Sequence, residues 1–276
     1  MIRMRLGAKV AVYLLAGVAV LVVLFPLLWM VAAALKTNAQ IIDPNAPLFP
    51  SDPQWSNISQ AWDTAPFGRF FLNTAFFSVV TTAGQIATGM LAGYAFAMFD
   101  FPAKRVLFYL VLSGLMIPFT VVLVPVVQLL ADFGWVDTYQ GLIVPNIASA
   151  LGCFLFRQFF LTTPLELGEA ARLDGAGEWR IFLSVYRPLA QPMTAAFTII
   201  AFLQNWNNFL FPLVVTSNEK LMMISQGLTI FDGQISRVTY NLLMAGSLIA
   251  VVPVLIVAMV AQRRVVDGLT LGAVRA

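Results

Sequence analysis

Histidine is absent from the 276 residues, and cysteine occurs once, at Cys153. A disulfide needs two cysteines and structural zinc is held by several Cys or His side chains, so the chain can assemble neither within itself. The same absence removes a Ser-His-Asp triad and the HExxH helix of a metalloprotease. Charge is scarce as well. Lys and Arg number 16 and Asp and Glu 13, together 11% of the chain, where a soluble domain carries about 25%. The net charge is only +3, with no Lys/Arg run long enough to follow a nucleic-acid backbone. None of Lys9, Lys36, Lys104 or Lys220 sits in a GxxxxGK[ST] frame, so no loop is set up to cradle the phosphates of ATP. What fills the chain is apolar: 60% of residues are hydrophobic and the mean hydropathy is +0.85. So few charges cannot cover that much apolar surface in water, which predicts an integral membrane protein.

The charges divide the chain into six largely apolar stretches, approximately 10–35, 70–97, 106–130, 139–160, 192–215 and 241–262. A helix rising about 1.5 Å per residue needs roughly 20 residues to cross about 30 Å of hydrocarbon. The stretches are continuous and do not alternate with polar residues, which favours helices over barrel strands. The expectation is an all-α membrane protein, one domain over 1–276 with six transmembrane helices. Arg3, Arg5 and Lys9 resemble the basic start of a signal peptide, but the apolar run behind them is far longer than the about 7–15 residues of such a segment. It is read as a retained helix. With the N-terminus inside, Arg3, Arg5, Lys9, Lys104, Arg105, Arg157, Arg172, Arg180, Arg187, Arg263, Arg264 and Arg275 face the cytoplasm. Only Lys36, Arg69, Lys220 and Arg237 remain outside. Basic residues concentrate on the cytoplasmic side, so both termini are placed there.

The loop 161–191 is then cytoplasmic. Thr163 can cap a helix starting at Pro164, with Glu166 completing a capping box. Asp174-Gly175 reads as a turn, and a second short helix can run from Gly177 to Tyr186. Glu166, Glu169, Asp174 and Glu178 balance Arg172, Arg180 and Arg187. A helix lying on lipid headgroups is mostly basic, so mixed charge suits a protein partner better. Ala170, Ala171, Gly175 and Ala176 leave room for close approach.

Glu169-Ala170-Ala171-Arg172-Leu173-Asp174-Gly175-Ala176 resembles the EAA loop of ABC importer membrane subunits. The tail departs from that pattern at Val185, where Ile is usual, and at Arg187, where Leu precedes the proline. Phe70-Phe71-Leu72-Asn73-Thr74, Asn205-Trp206-Asn207-Asn208-Phe209 and Gly268-Leu269-Thr270-Leu271-Gly272-Ala273-Val274 are similar to the carbohydrate-uptake branch, in particular to its smaller, maltose-type permease subunit. The resemblance implies a type I ABC importer permease fold with a cytoplasmic EAA coupling helix, in the plasma or inner membrane of a bacterium or archaeon. It implies that Glu166, Glu169, Ala170, Ala171, Asp174, Gly175 and Ala176 couple to an ATPase, with Glu169 pairing with a basic residue there. The implied partners are a second homologous permease, two ATP-binding subunits and an extracytoplasmic solute-binding protein touching the loop 216–241. ATP and Mg would be bound by the ATPase subunits and no cofactor by this chain. The C-terminal tail would lie along the ATPase dimer.

No ionisable residue lies well inside a stretch, which counts against an intramembrane carboxylate relaying protons. Uncharged polar residues do occur. Gln204 and Asn208 are four apart and share a helical face with Asn205. With Asn146 they are the candidates for a polar path taken by hydroxyl-rich cargo, or else for hydrogen bonds between helices. Two functions stand side by side: half of the pathway of an ATP-driven importer for a sugar or related polar solute, or a self-sufficient secondary carrier or channel.

Overall fold

A computed structural model describes residues 6–231 and 238–273. Arg3, Arg5, Arg237, Val274 and Arg275, used above, lie outside them. The elements run α1 (Leu6–Ala34), α2 (Asn38–Ile42), α3 (Ser56–Thr64), α4 (Phe67–Met98), α5 (Lys104–Ser113), α6 (Phe119–Asp132), α7 (Tyr139–Ile143) and α8 (Ala150–Leu161). They continue with α9 (Glu166–Leu173), α10 (Glu178–Ile181), α11 (Arg187–Leu189), α12 (Gln191–Trp206), α13 (Leu210–Val215), α14 (Ile224–Gly227) and α15 (Tyr240–Ala273). A π-helical turn, Phe182–Tyr186, joins α10 to α11.

Six transmembrane helices are not what the chain forms. Among the described residues four helical segments are long and apolar enough to cross a membrane: Lys9–Ala34, Phe67–Met98, Tyr139–Leu161 (α7 and α8 with the short turn between them) and Tyr240–Val257. The stretch 106–130 is cut in two. α5 stops at Ser113, Gly114 to Ile117 leave the helix, and Pro118 sits extended at the start of α6. Proline lacks the N–H that would continue the ladder and clashes with the preceding turn. At about 1.5 Å per residue, the 10 residues of α5 and the 14 of α6 each fall well short of about 30 Å. The stretch 192–215 breaks likewise. α12 ends at Trp206, Asn207 to Phe209 are not helical, and α13 adds six residues. Counting residues between charges cannot see these breaks, because Gly, Pro and Asn interrupt a helix without adding charge.

The chain forms two compact units. The first comprises Met1–Gly68 and Gly227–Val252. Asn57 organises it: its amide donates to the carbonyls of Ala34 and Lys36, both at 2.8 Å, and its oxygen accepts from Asn241 at 3.1 Å. That closes the exposed C=O groups at the end of α1 onto α3 and the start of α15. Asn38 adds bonds to the backbone of Val238 and Tyr240. Further up α1, residues such as Tyr13, Leu15 and Val23 are more than two-thirds exposed. A helix apolar on all sides and packed by little of its own chain is suited to lipid or to another subunit.

The second unit, Arg69–Gln226 with Pro253–Ala276, carries the candidate site. α4 is its spine. Gly89 and Gly93 press directly on the backbone of α8, where added Cβ atoms would come 3.0 Å from Gly152 and 2.7 Å from Arg157. The small-xxx-small spacing therefore marks a real helix crossing. Arg157, entering the apolar interior here, donates to the Phe96 carbonyl at 3.2 Å and lies 4.1 Å from the centre of the Phe108 ring. Two apolar clusters flank the crossing. One joins Met90, Tyr94, Phe156, Phe160, Ile181, Phe182, Tyr186 and Phe197; the other joins Phe77, Leu130, Leu142, Phe211, Val215 and Met223.

Candidate functional site

The segment 162–191 is a helix, turn and helix. Its start differs from the expectation. α9 begins at Glu166 without a side-chain cap, and the Thr163 hydroxyl donates back to the Phe159 carbonyl instead. The turn is closed by backbone groups. Gly175 N–H bonds the Arg172 carbonyl, and Ala176 N–H reaches Ala171, both at 3.0 Å. Gly175 has φ +81°, and the pair of bonds is the Schellman arrangement that ends a helix. Nothing lies within 4 Å of where a Gly175 Cβ would be, so backbone conformation and not crowding demands glycine there.

α9 is fixed to the protein by its other glycine. A Cβ on Gly168 would sit 2.5 Å from the hydroxyl of Tyr186, which is itself buried. Tyr186 packs at 5.1 Å from Tyr94 and 6.2 Å from Phe160, inside the aromatic cluster below. Burial raises the Tyr186 hydroxyl above its ordinary pKa, so it stays protonated at neutral pH. With Gly168 and Ala171 turned inward, Glu166, Glu169, Ala170 and Leu173 stand at i, i+3, i+4 and i+7 and form one exposed face. Leu173 is 90% exposed. Asp174 and Gly175 extend that face at the turn, while Ala171 and Ala176 pack against the core. Arg172 spans the turn, donating to the Glu178 carboxylate at 2.6 and 3.0 Å. The pair holds the Glu178 carboxyl below its usual range and the Arg172 guanidinium above its own. The seven sequence candidates thus lie on one short stretch. Three acidic groups, Ala170, Gly175 and a bare leucine face outward, and Gly168, Ala171 and Ala176 face in. Arg187 opens α11 and is exposed.

The polar candidates divide. Asn205 is buried, and its amide donates to Thr82 Oγ1 at 3.0 Å and to Gln85 Oε1 at 3.2 Å. Gln85 in turn donates to the Asn146 carbonyl at 2.8 Å, and the Asn146 side chain donates to Leu142. These bonds tie α12 to α4, and α4 to the turn after α7. Gln204 is exposed. Asn208 lies beyond the end of α12 and so is not on its helical face; its N–H bonds the Asn205 carbonyl at 3.2 Å.

A further constellation was not legible beforehand. Asn73 donates to the carbonyls of Lys220 and Met222 at 3.0 and 2.9 Å and accepts from the Tyr139 hydroxyl at 2.7 Å. Asp137, at φ +57°, accepts from the N–H groups of Ser217 and Asn218 at 2.6 and 2.8 Å. Thr74 accepts from Ile224 N–H, and Arg69 donates to the Lys220 carbonyl. The 217–224 loop is pinned to α4 and to the loop before α7. The one local signal is aspartate at a turn, since Asp is among the few residues that tolerate the left-handed region.

Residues 85–270 match the family model of the binding-protein-dependent transport system inner membrane component. This chain belongs to that family. It is the permease subunit of an ABC-type importer, a multi-pass membrane protein and a transport subunit, not an enzyme. Among its relatives, the sn-glycerol-3-phosphate transport system permease protein UgpE of Yersinia enterocolitica is 35% identical over 276 residues, 98% of each chain. The diacetylchitobiose uptake system permease protein NgcG of Streptomyces coelicolor is 34% identical over 257 residues, 92% of this chain and 85% of that one. A chain in the crystal structure of a bacterial ABC transporter involved in import of the acidic polysaccharide alginate shares the fold of this permease subunit. The TM-score is 0.82 at 21% identity, over 92% of this chain and 95% of that one.

Proposed function

We propose that this subunit forms half of the translocation pathway for a sugar or a glycerol-phosphate-like polar solute, and that the 161–191 loop couples it to separate ATPase subunits. The observation that carries the reading is the exposed face of α9, seated through Gly168 on the Tyr186–Tyr94 aromatic cluster. Glu166 and Glu169 at the first turn of α9 offer negative charge to a basic partner, Leu173 offers an apolar contact, and the rigid Schellman turn keeps both in place. Displacement of α9 would be carried by packed rings to α4, not absorbed by a loose loop. In this reading both termini are cytoplasmic, a second homologous permease completes the pathway, and a solute-binding protein engages the pinned 217–224 loop.

The nature of the cargo is drawn from relatives whose names refer to glycerol phosphate and to a chitin disaccharide. Both carry hydroxyl groups, and the four described candidate spans hold no Asp or Glu. The test is reconstitution in liposomes. The chain alone is expected to move no cargo, and uptake is expected to require the second permease, the ATPase, the binding protein and ATP together. Uptake by the chain alone down an ion gradient would overturn the proposal and restore the secondary-carrier alternative. Glu169→Ala in the full complex should lower transport per ATP hydrolysed; unchanged coupling would remove the loop from the mechanism.

A further inference from the structure

A groove of about 1060 Å³ runs along the second unit, and no residue of α9 lines it. Its floor is Ala83, Ala87 and Leu91 of α4 and Ala195 of α12, and its mouth carries Trp179, Arg187 and Gln191. The walls look more polar in sequence than they are. Thr194 and Thr198 line the groove, but their hydroxyls donate to the carbonyls of Ala190 and Thr194 at 2.8 and 2.6 Å on their own helix. Pro188 and Pro192 contribute no N–H. With those donors used, this wall offers a hydroxyl-rich solute only the lone pairs of two hydroxyls, whereas a hydrocarbon chain needs no partner at all.

The mouth has the opposite character. Arg187 is exposed, and neither ion pair formed among the described residues, Lys104–Asp100 or Arg172–Glu178, involves it. The nearest acidic residue in sequence, Glu178, is held by Arg172. Trp179, lining the same groove, is 63% exposed and packs at 5.5 Å on Phe182, with the amphipathic ring expected at headgroup level. A cation and an indole over an apolar trough match an anionic headgroup followed by an acyl chain.

We propose that this groove binds one anionic phospholipid, its phosphate on Arg187 and its chain along Ala83, Ala87 and Leu91. The site is independent of cargo and of the coupling role of α9. The test is native mass spectrometry of the delipidated, full-length chain titrated with phosphatidylglycerol or phosphatidylcholine. One phosphatidylglycerol should be retained with about fivefold preference, the contribution of one basic residue near a charged lipid. Arg187→Gln should abolish the preference, Arg187→Lys should keep part of it, and Ala87→Trp should block binding of either lipid. Equal retention of the two lipids by the wild-type chain overturns the proposal whatever the variants do. So does a preference that survives in Arg187→Gln. Loss of phosphatidylglycerol on adding the second permease would make that subunit the occupant and overturn it too.

Discussion

Gly168 and Gly175, seven residues apart in the same loop, are required for different reasons, and the difference can be measured. Gly168 is required by space: the Tyr186 hydroxyl occupies the volume of its missing Cβ, and Tyr186 is walled in by Tyr94 and Phe160. Gly168→Ala should cost about 1–3 kcal/mol of overpacking and lower the melting temperature of the purified chain. Gly175 is required by its φ of +81° in open surroundings. Gly175→Ala should cost about 1 kcal/mol, and Gly175→Asn less, because asparagine tolerates the left-handed region. Thermal unfolding in detergent separates the two, since a second variant, Tyr186→Phe, should partly rescue Gly168→Ala and leave Gly175→Ala unchanged. The motif includes Gly175 among its small residues and leaves Gly168 outside it; only φ and the Tyr186 contact say why glycine stands at each.

Between elements, the Arg172–Glu178 pair bridges α9 and α10 across the turn. Glu178 has a folded pKa below its ordinary value, so the pair's contribution is full above about pH 4.3 and fades as pH falls through the lower, folded value. The side chains are 43% and 45% exposed, so the effect is small and weakened by salt. Glu178→Gln should speed amide hydrogen exchange over 169–180 at neutral pH, the difference shrinking in high salt and vanishing in strong acid. Asn205 links α12 to α4 by two bonds, to Thr82 and Gln85. Each such bond contributes about 0.6 kcal/mol between membrane helices. Asn205→Leu should therefore destabilise by about 1 kcal/mol in a detergent unfolding assay, and Gln85→Ala on top of it should add only the loss of the Gln85 bond to the Asn146 carbonyl, because its bond to Asn205 is already gone. The sequence placed Asn205 among polar residues of a span but could not choose between cargo and helix contact. Its partners are about 120 positions away, and helical periodicity carries no information across that distance.

At the scale of the molecule, the loop 217–224 is fastened to α4 by Asn73, Thr74 and Arg69, and to the start of α7 by Asp137. If this is where the solute-binding protein engages, a frayed loop should weaken docking more than turnover. Asn73→Ala and Asp137→Ala are expected to raise several-fold the binding-protein concentration needed for half-maximal uptake in proteoliposomes, with the saturated rate little changed. Equal loss at saturation would place the defect in folding or in the pathway. The loop's tethers come from residues 69 to 74 and 137, remote in sequence, and each is an ordinary polar side chain until the fold brings its partner carbonyl or N–H into reach.

Composition by itself determined that the chain lives in a membrane, because apolar surface on this scale has no other solvent. The contiguous residues 169–176 carried the resemblance to the family, because a short helix, turn and small-residue face are local and need no distant contact to be legible. Tertiary structure alone decided how many helices are long enough to span. Gly114, Pro118 and Asn207 break their stretches through backbone geometry that a count of charges does not register. It also decided which polar groups are engaged and which remain open, because a hydrogen bond belongs to two residues and the sequence names only one at a time.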